Sequence, residues 1–226
     1  MIHQVYGLFD DGISWEDIPK YKDNMLETQD FCKVHNYEYK LWDLKDCEKL
    51  IKENYSEYLD LWHNFRYPIQ RCDFVRYCIL HKYGGLYIDC DIRPMKALGE
   101  VFLQPIYFVY WNDDKKKLPY NAVLASQAGE TLFLDVMKEC RRSYNEKSKI
   151  EKYKEWKGRF IYQTTGHYML ERVLKAHKID KDKFFHDVLY VHNPDKKYRN
   201  GNNFIGDMNT ALFYDANASV WYDNLI

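Results

Sequence analysis

RCDFVRYCILHKYGGLYIDCDI, residues 71–92, decides how the chain is read. Pro68 stands just before it, a residue suited to a first helical turn. Residues Ile69–Tyr83 then read as the clearest helix of the sequence. Gly84 and Gly85 stop that helix, as glycine does past a helix C-terminus. Leu86–Ile88 is a short apolar strand that runs straight into Asp89-Cys90-Asp91. Alternate residues of an extended chain share a side. Asp89 and Asp91 are therefore expected to project together, with Cys90 opposite. They fall past the C-terminal end of a strand, where open α/β sheets bind ligands. Two hard oxygen ligands without a surrounding cage suit Mg²⁺ or Mn²⁺ held jointly with a phosphate. Asp73 and Arg76, three apart, share a helix face, and arginine suits a phosphate or a sugar-hydroxyl edge.

Outward from this run, strands alternate with helices. Ile2–Leu8 reads as a strand, Lys20–His35 as a helix opened by Pro19, and Tyr37–Trp42 as a second strand. Asp43–Trp62 reads as helix in two pieces, broken near Asn54. Beyond the central run come strands at Ile106–Trp111 and Ala122–Ala125, and helices at Thr131–Tyr144 and Gly166–His177. Phe184–Val191 and Ala211–Tyr214 read as late strands. The alternation argues for an α/β sandwich with a mainly parallel sheet.

Composition narrows the partners. The 226 residues carry 33 Lys plus Arg against 34 Asp plus Glu, so no global field favours nucleic acid or membrane. Aromatics reach 17%, which suits flat, polar-edged ligands such as sugars and nucleobases, and equally a Tyr-rich core. The six cysteines form no C-x-x-C pair. With no leader-like opening and no apolar run of membrane length, the expectation is a cytoplasmic protein with reduced, buried thiols. Arg141–Arg159 carries eight basic and three acidic residues, with Ile150, Tyr153, Trp156 and Phe160 at helical spacing. It reads as a solvated helix with an apolar face on the core, or as a contact of residues 141–160 with an anionic acceptor or the inner face of a membrane. No P-loop, G-x-G-x-x-G, H-E-x-x-H or G-x-S-x-G motif occurs.

Residues 71–92 resemble the sugar-transferase segment of glycosyltransferase family 32 and of the glucosylating domain of large clostridial toxins. That signature is Asp-x-x-Arg on a helix, Tyr-Gly-Gly, a short apolar strand and Asp-x-Asp. Here Asp73, Arg76, Tyr83-Gly84-Gly85, Leu86-Tyr87-Ile88 and Asp89-Cys90-Asp91 stand in that order. The resemblance implies a GT-A fold, α/β with a mainly parallel sheet flanked by helices. It implies one domain over 1–226, a nucleotide-sugar half at about 1–110 and an acceptor half at about 111–226.

The resemblance also assigns roles. Asp73, Arg76, Tyr87 and Asp89 fall to the donor. Asp89 and Asp91 fall to a Mn²⁺ or Mg²⁺ ion. Asp73, Arg76, Asp91 and Asn121 fall to the catalytic set. Tyr6, ending the Ile2-His3-Gln4-Val5-Tyr6 run, takes the place of an aromatic that stacks on the nucleobase, or else is a core strand residue. Asn121 is similar to an asparagine facing donor sugar and acceptor, or else is a turn residue. Thr164-Thr165-Gly166 resembles a Thr-Gly that opens an acceptor-side helix, or is an ordinary cap. Near the C-terminus, Ser219 and Trp221 fit a Ser-x-Trp pair with donor contacts. The metal ligand expected before them falls near Ala216, so Asp215, Asn217 or a water is expected in its place.

The function so implied is transfer of a hexose from a nucleotide sugar, a UDP-hexose, to a glycan, lipid-linked sugar or protein, with retention. Two rivals stand beside it. A two-carboxylate hydrolase needs its acids on opposite sides of the sugar, and Asp89 and Asp91 are expected on one side. A non-catalytic nucleotide-sugar or glycan-binding protein is the other.

Overall fold

A computed structural model of the protein describes residues 1–9, 12–113, 116–146, 151–153, 155–186, 188–192 and 204–216. In chain order the elements are β1 (Ile2–Val5), α1 (Pro19–His35), β2 (Tyr39–Trp42), α2 (Leu44–Asn54), α3 (Leu59–Asn64), α4 (Pro68–Tyr83), β3 (Gly85–Ile88), β4 (Ile92–Pro94) and α5 (Gly99–Leu103). They continue with β5 (Ile106–Asp113), β6 (Lys116–Ser126), α6 (Leu132–Asn145), α7 (Lys157–Thr164), α8 (His167–Ala176), α9 (Lys181–Phe184), β7 (Phe185–His186), β8 (Leu189–His192), β9 (Phe204–Ile205) and β10 (Phe213–Asp215).

The central sheet runs β2-β1-β3-β6-β5-β7. β1 lies parallel to β2 and β3, and β5 parallel to β7. β6 alone runs against its neighbours β3 and β5. The expected mainly parallel α/β sheet is thus present, with one reversed strand. Strand alternation splits the core in two. Val5, Trp42, Tyr87, Phe108 and Leu124 pack on one face against α2, α3, α4, α6 and α8. Ile2, Leu86, Ile88, Tyr107, Val109 and Val123 pack on the other, with α1, α5 and a second sheet. That second sheet, β4-β10-β8-β9, lay beyond the sequence reading.

Local chemistry explains the boundaries. Pro19 and Pro68 sit in the first turns of α1 and α4. Asp43 Oδ1 caps α2 by accepting the Asp46 N–H at 2.8 Å. α4 is buried almost all round, from Cys72 to Leu80. Gly84 and Gly85 both have positive φ, +65° and +88°. A Cβ on Gly84 would meet Ala128 N at 2.5 Å, and one on Gly85 would meet Met1 O at 2.5 Å. The two glycines therefore let α4 turn sharply and β3 slide in beside β1.

Several expectations change. β1 ends at Val5 rather than Leu8, because Gly7 takes a left-handed turn with φ +79°. The strand foreseen at Ala122–Ala125 extends over Lys116–Ser126 and hairpins with β5. Phe184–Val191 is not one strand: β7 joins the central sheet and β8 the second sheet. Among the described residues no helix is long and apolar enough to cross a membrane.

Candidate active site

The site lies at the C-terminal ends of β1 and β3. α4 brings Asp73 and Arg76 to this edge, one helical turn apart, and both are buried, 4% and 1% exposed. Arg76 Nη2 lies 3.1 Å from Asp73 Oδ1, and Nη1 lies 3.2 Å from Asp89 Oδ1. Arg76 also donates from Nη1 to Asn121 O at 2.6 Å and from Nε to Cys72 O at 3.1 Å. Its guanidinium carbon sits 4.7 Å from the Tyr87 ring centre. The Tyr87 hydroxyl donates to Asp89 Oδ1 at 2.8 Å.

Asp73 is held from three directions. Asn121 Nδ2 donates to Oδ1 at 2.9 Å, Thr165 Oγ1 donates to Oδ2 at 2.9 Å, and Arg76 supplies the charge. Thr165 is fixed in turn by its carbonyl, which accepts from Tyr77 Oη at 2.9 Å. Burial pushes the Asp73 carboxyl up to about 6, against the pull of Arg76 and the Thr165 and Asn121 hydrogen bonds. An ionised carboxylate offers about four acceptor positions. Three donors leave one for a further hydroxyl.

Asp89 and Asp91 do not sit on an extended strand. The Ile92 N–H donates to Asp89 O at 3.0 Å, so Cys90 and Asp91 form a turn between β3 and β4. The reasoning from alternation on an extended chain fails at this point. Both carboxylates nonetheless bear on the same two phenols: Tyr21 of α1 and Tyr120 of β6 are each pushed up by burial first and by Asp89 and Asp91 besides. The turn is pinned from outside. Gln4 Nε2 donates to Asp89 O at 3.1 Å, Cys90 Sγ to Val5 O at 3.3 Å, and Ala216 N to Asp91 O at 2.9 Å. The Asp89 side chain is about a third open, at 32%.

Asp215 stands on β10 with no exposed surface, and accepts from Tyr120 Oη at 2.5 Å. Its strand also pairs directly with β4 where the turn ends, Asp215 opposite Ile92. Among the described residues no three His, Cys, Asp or Glu side chains converge as a cation cage. Asp89 and Asp91 are hard-oxygen donors on an open turn, so they fit a cation completed by phosphate oxygens rather than one enclosed by protein. Tyr6, just past β1, is half-buried; its hydroxyl donates to Ile13 O at 3.0 Å and its ring meets Tyr21 edge-on at 5.9 Å. Ser219, Trp221 and Asn217 lie outside the described residues.

The structure thus gathers Asp73, Arg76, Tyr87, Asp89 and Asn121 into one network, with Asp91 on the adjoining turn. The sequence reading missed Tyr21, Tyr120 and Gln4. Nothing short-range singles them out, because each meets the turn from a distant element.

Comparison with known proteins shows what this edge is similar to. Residues 22–108 match the glycosyltransferase sugar-binding region containing a DXD motif. This stretch is thus similar to a DXD-type glycosyltransferase sugar-binding region. Its Asp-x-Asp is Asp89-Cys90-Asp91, and it takes in α1, α4 and the β3 turn. The mannosyl phosphorylinositol ceramide synthase SUR1 of Saccharomyces cerevisiae is 33% identical over 146 residues, covering 62% of this chain and 34% of that protein. An uncharacterised glycosyltransferase, L373, of Acanthamoeba polyphaga mimivirus is 27% identical, covering 66% of this chain and 58% of that one. The chain thus spans about a third of the yeast relative's length. Among solved structures, the PaToxG glycosyltransferase superposes with a TM-score of 0.52 at 14% identity, over 80% of this chain and 70% of that one. At that identity the likeness is one of fold, and the fold is the GT-A α/β type.

Proposed function

We propose that the protein is a glycosyltransferase that moves a hexose from a nucleotide sugar to a sugar-bearing or lipid-linked acceptor, with a divalent cation and with retention. The observation that carries this reading is the Asp73–Arg76–Asp89 network set beside the Asp91 turn at the open edge of β3. A UDP-hexose is the donor proposed from the sequence. The yeast relative's name adds mannose as the hexose and phosphorylinositol ceramide as a kind of acceptor, so GDP-hexoses belong in the same comparison.

The chain's own residues divide the work. Asp73, with one acceptor position left, orients a donor-sugar hydroxyl. Arg76 is too buried to be a mobile clamp; it holds Asp73 and Asp89 in register. Tyr87 fixes one Asp89 oxygen. Asp89 and Asp91 would hold Mn²⁺ or Mg²⁺, which supplies charge neutralisation at the departing diphosphate when bound. Preorganised charge of this kind is commonly the largest catalytic contribution.

The test is a panel of UDP- and GDP-hexoses with Mn²⁺, scoring nucleotide release with and without EDTA. Release from one donor, abolished by EDTA, is expected. Hydrolysis of a glycoside indifferent to EDTA would replace the reading with that of a hydrolase.

A further inference from the structure

The residues on either side of Thr165 lead away from the donor site along a path of rings. A Cβ placed on Gly166 would lie 3.6 Å from Asp73 Oδ2 and 3.5 Å from Tyr162 Cδ1, so Gly166 has the donor-side carboxylate and Tyr162 both as neighbours. The Tyr162 ring is 4.4 Å from the His167 ring and 6.2 Å from that of Tyr168. Burial holds His167 down to about 4, so it offers a neutral polar edge at ordinary pH.

Arg159 closes the path. Its guanidinium carbon lies 4.9 Å from the Tyr168 ring centre, 5.7 Å from that of Trp156 and 6.0 Å from that of Tyr153. Its Nε is buried and makes no hydrogen bond. Among the described residues no carboxylate pairs with it, whereas Arg76, Arg93, Arg141, Arg142 and Arg172 each pair with one. Trp156, at 63% exposed, turns much of its ring to solvent. An unpaired guanidinium in an aromatic cage suits a phosphate, which it can grip with two parallel N–H donors. Aromatic faces with a few polar edges suit the ring of a sugar or polyol.

We infer that Arg159, caged by Tyr153, Trp156 and Tyr168, binds the phosphate of a phosphorylated sugar or polyol acceptor whose ring lies over Tyr162 and His167, beside the donor site. This rests on the proposed glycosyl transfer and names its acceptor class. The phosphate can belong to a lipid headgroup or to a free phosphorylated compound.

Calorimetry on the full chain with Mn²⁺ and a nucleoside diphosphate separates the possibilities, using myo-inositol 1-phosphate and plain myo-inositol as probes. The phosphate should tighten binding about ten- to a hundredfold, the span of a charged hydrogen bond or two. Arg159→Gln should erase that preference, and Arg159→Lys should keep part of it. Thermal melts verify that both variants are folded. Vesicles of phosphatidylcholine with and without phosphatidylinositol, or with phosphatidylserine, distinguish the source. Arg159-dependent binding to the phosphatidylinositol vesicles assigns the phosphate to a lipid headgroup; binding of the soluble compound alone assigns it to a free one. Equal affinity for both inositols, or an unaltered preference in Arg159→Gln, overturns the inference while nucleotide binding stands. So does indifference between the two anionic lipids with no effect of Arg159→Gln, which marks a merely basic surface. Absence of nucleotide binding with the phosphate preference intact would instead remove the donor reading and leave an anion site.

Discussion

Arg76 Nη1 lies 3.2 Å from Asp89 Oδ1, tying the middle of α4 to the residue just past β3. Because Arg76 also pairs with Asp73, one buried cation holds two carboxylates. Removing one partner of a buried pair leaves charge uncompensated, at a cost of about 3–5 kcal/mol. Arg76→Ala should therefore lose about that much stability in urea titrations. Arg76→Lys keeps the charge but not the planar fork, and should fall between. A loss in Arg76→Ala no larger than that of an exposed arginine would mean the network is not structural.

On the proposed function, Asp91 is the carboxylate most directly assigned to the cation. Asp91→Asn should lower turnover more than tenfold, about 1.4 kcal/mol of barrier, and remove the Mn²⁺-dependent part of nucleotide binding. Melting temperature should hold, since Asp91 lies on a half-buried turn. Turnover above roughly a tenth of wild type, on the same conversion, would sink the assignment.

The extent to which this site could be read in advance follows from range. Tyr83-Gly84-Gly85 and Asp89-Cys90-Asp91 are local: positive φ demands glycine, and a strand end is visible in six residues. Asn121 and Thr165 were found only through resemblance, because they meet Asp73 across 48 and 92 positions. Tyr120 gave no signal at all, and its partner Asp215, 95 positions away, was found only through resemblance. Strand direction was equally hidden. The apolar run Ala122–Ala125 marks a strand but reads the same either way, so the reversed β6 and the second sheet emerge only from pairing. The extended reading of Asp89–Asp91 failed because one backbone hydrogen bond, Ile92 to Asp89, outweighs a three-residue pattern.

His3 sets a pH limit on the fold. It has no exposed surface; Nε2 donates to Gly84 O at 3.0 Å and Nδ1 accepts from Trp42 Nε1 at 3.2 Å. Tryptophan can only donate, so the neutral tautomer is fixed, and burial holds the ring down to about 4 from 6.5. A base whose folded pKa is depressed contributes stability that is present above pH 6.5 and lost as pH falls toward 4. In full this is roughly 3 kcal/mol. Asp73 works with opposite sign: its raised pKa makes the fold relatively more stable as pH falls from 6 to 3.8. Comparing wild type with His3→Gln cancels the Asp73 contribution. The wild type should lose stability more steeply between pH 6.5 and 4; parallel curves would refute the buried neutral imidazole.

Gly85 and Gly7 make a controlled pair. Both have positive φ, +88° and +79°, but a Cβ on Gly85 strikes Met1 O at 2.5 Å while one on Gly7 meets nothing within 4 Å. A left-handed non-glycine residue costs about 1–3 kcal/mol. Gly7→Ala should cost that alone. Gly85→Ala should cost clearly more, because Met1 O accepts the Leu86 N–H at 3.0 Å and cannot retreat without loosening β1 from β3. Equal melting temperatures for the two variants would show that β3 can shift freely.

Tyr6 decides how the base end of the nucleotide is held. It belongs to neither core cluster, is half-buried past β1, and abuts Tyr21, which faces the Asp89–Asp91 turn. An aromatic there can stack on a nucleobase for about 1–3 kcal/mol. Tyr6→Phe loses the exposed hydrogen bond to Ile13, worth about 0.5–1.5 kcal/mol, and should bind nucleotide almost as wild type does. Tyr6→Ala should weaken nucleotide binding about ten- to a hundredfold with a modest fall in melting temperature. A core aromatic would behave differently, since its truncation costs about 3–5 kcal/mol. A large stability loss in Tyr6→Ala, with unchanged nucleotide affinity in the protein that stays folded, would assign Tyr6 to packing and leave Tyr21 as the next aromatic to test.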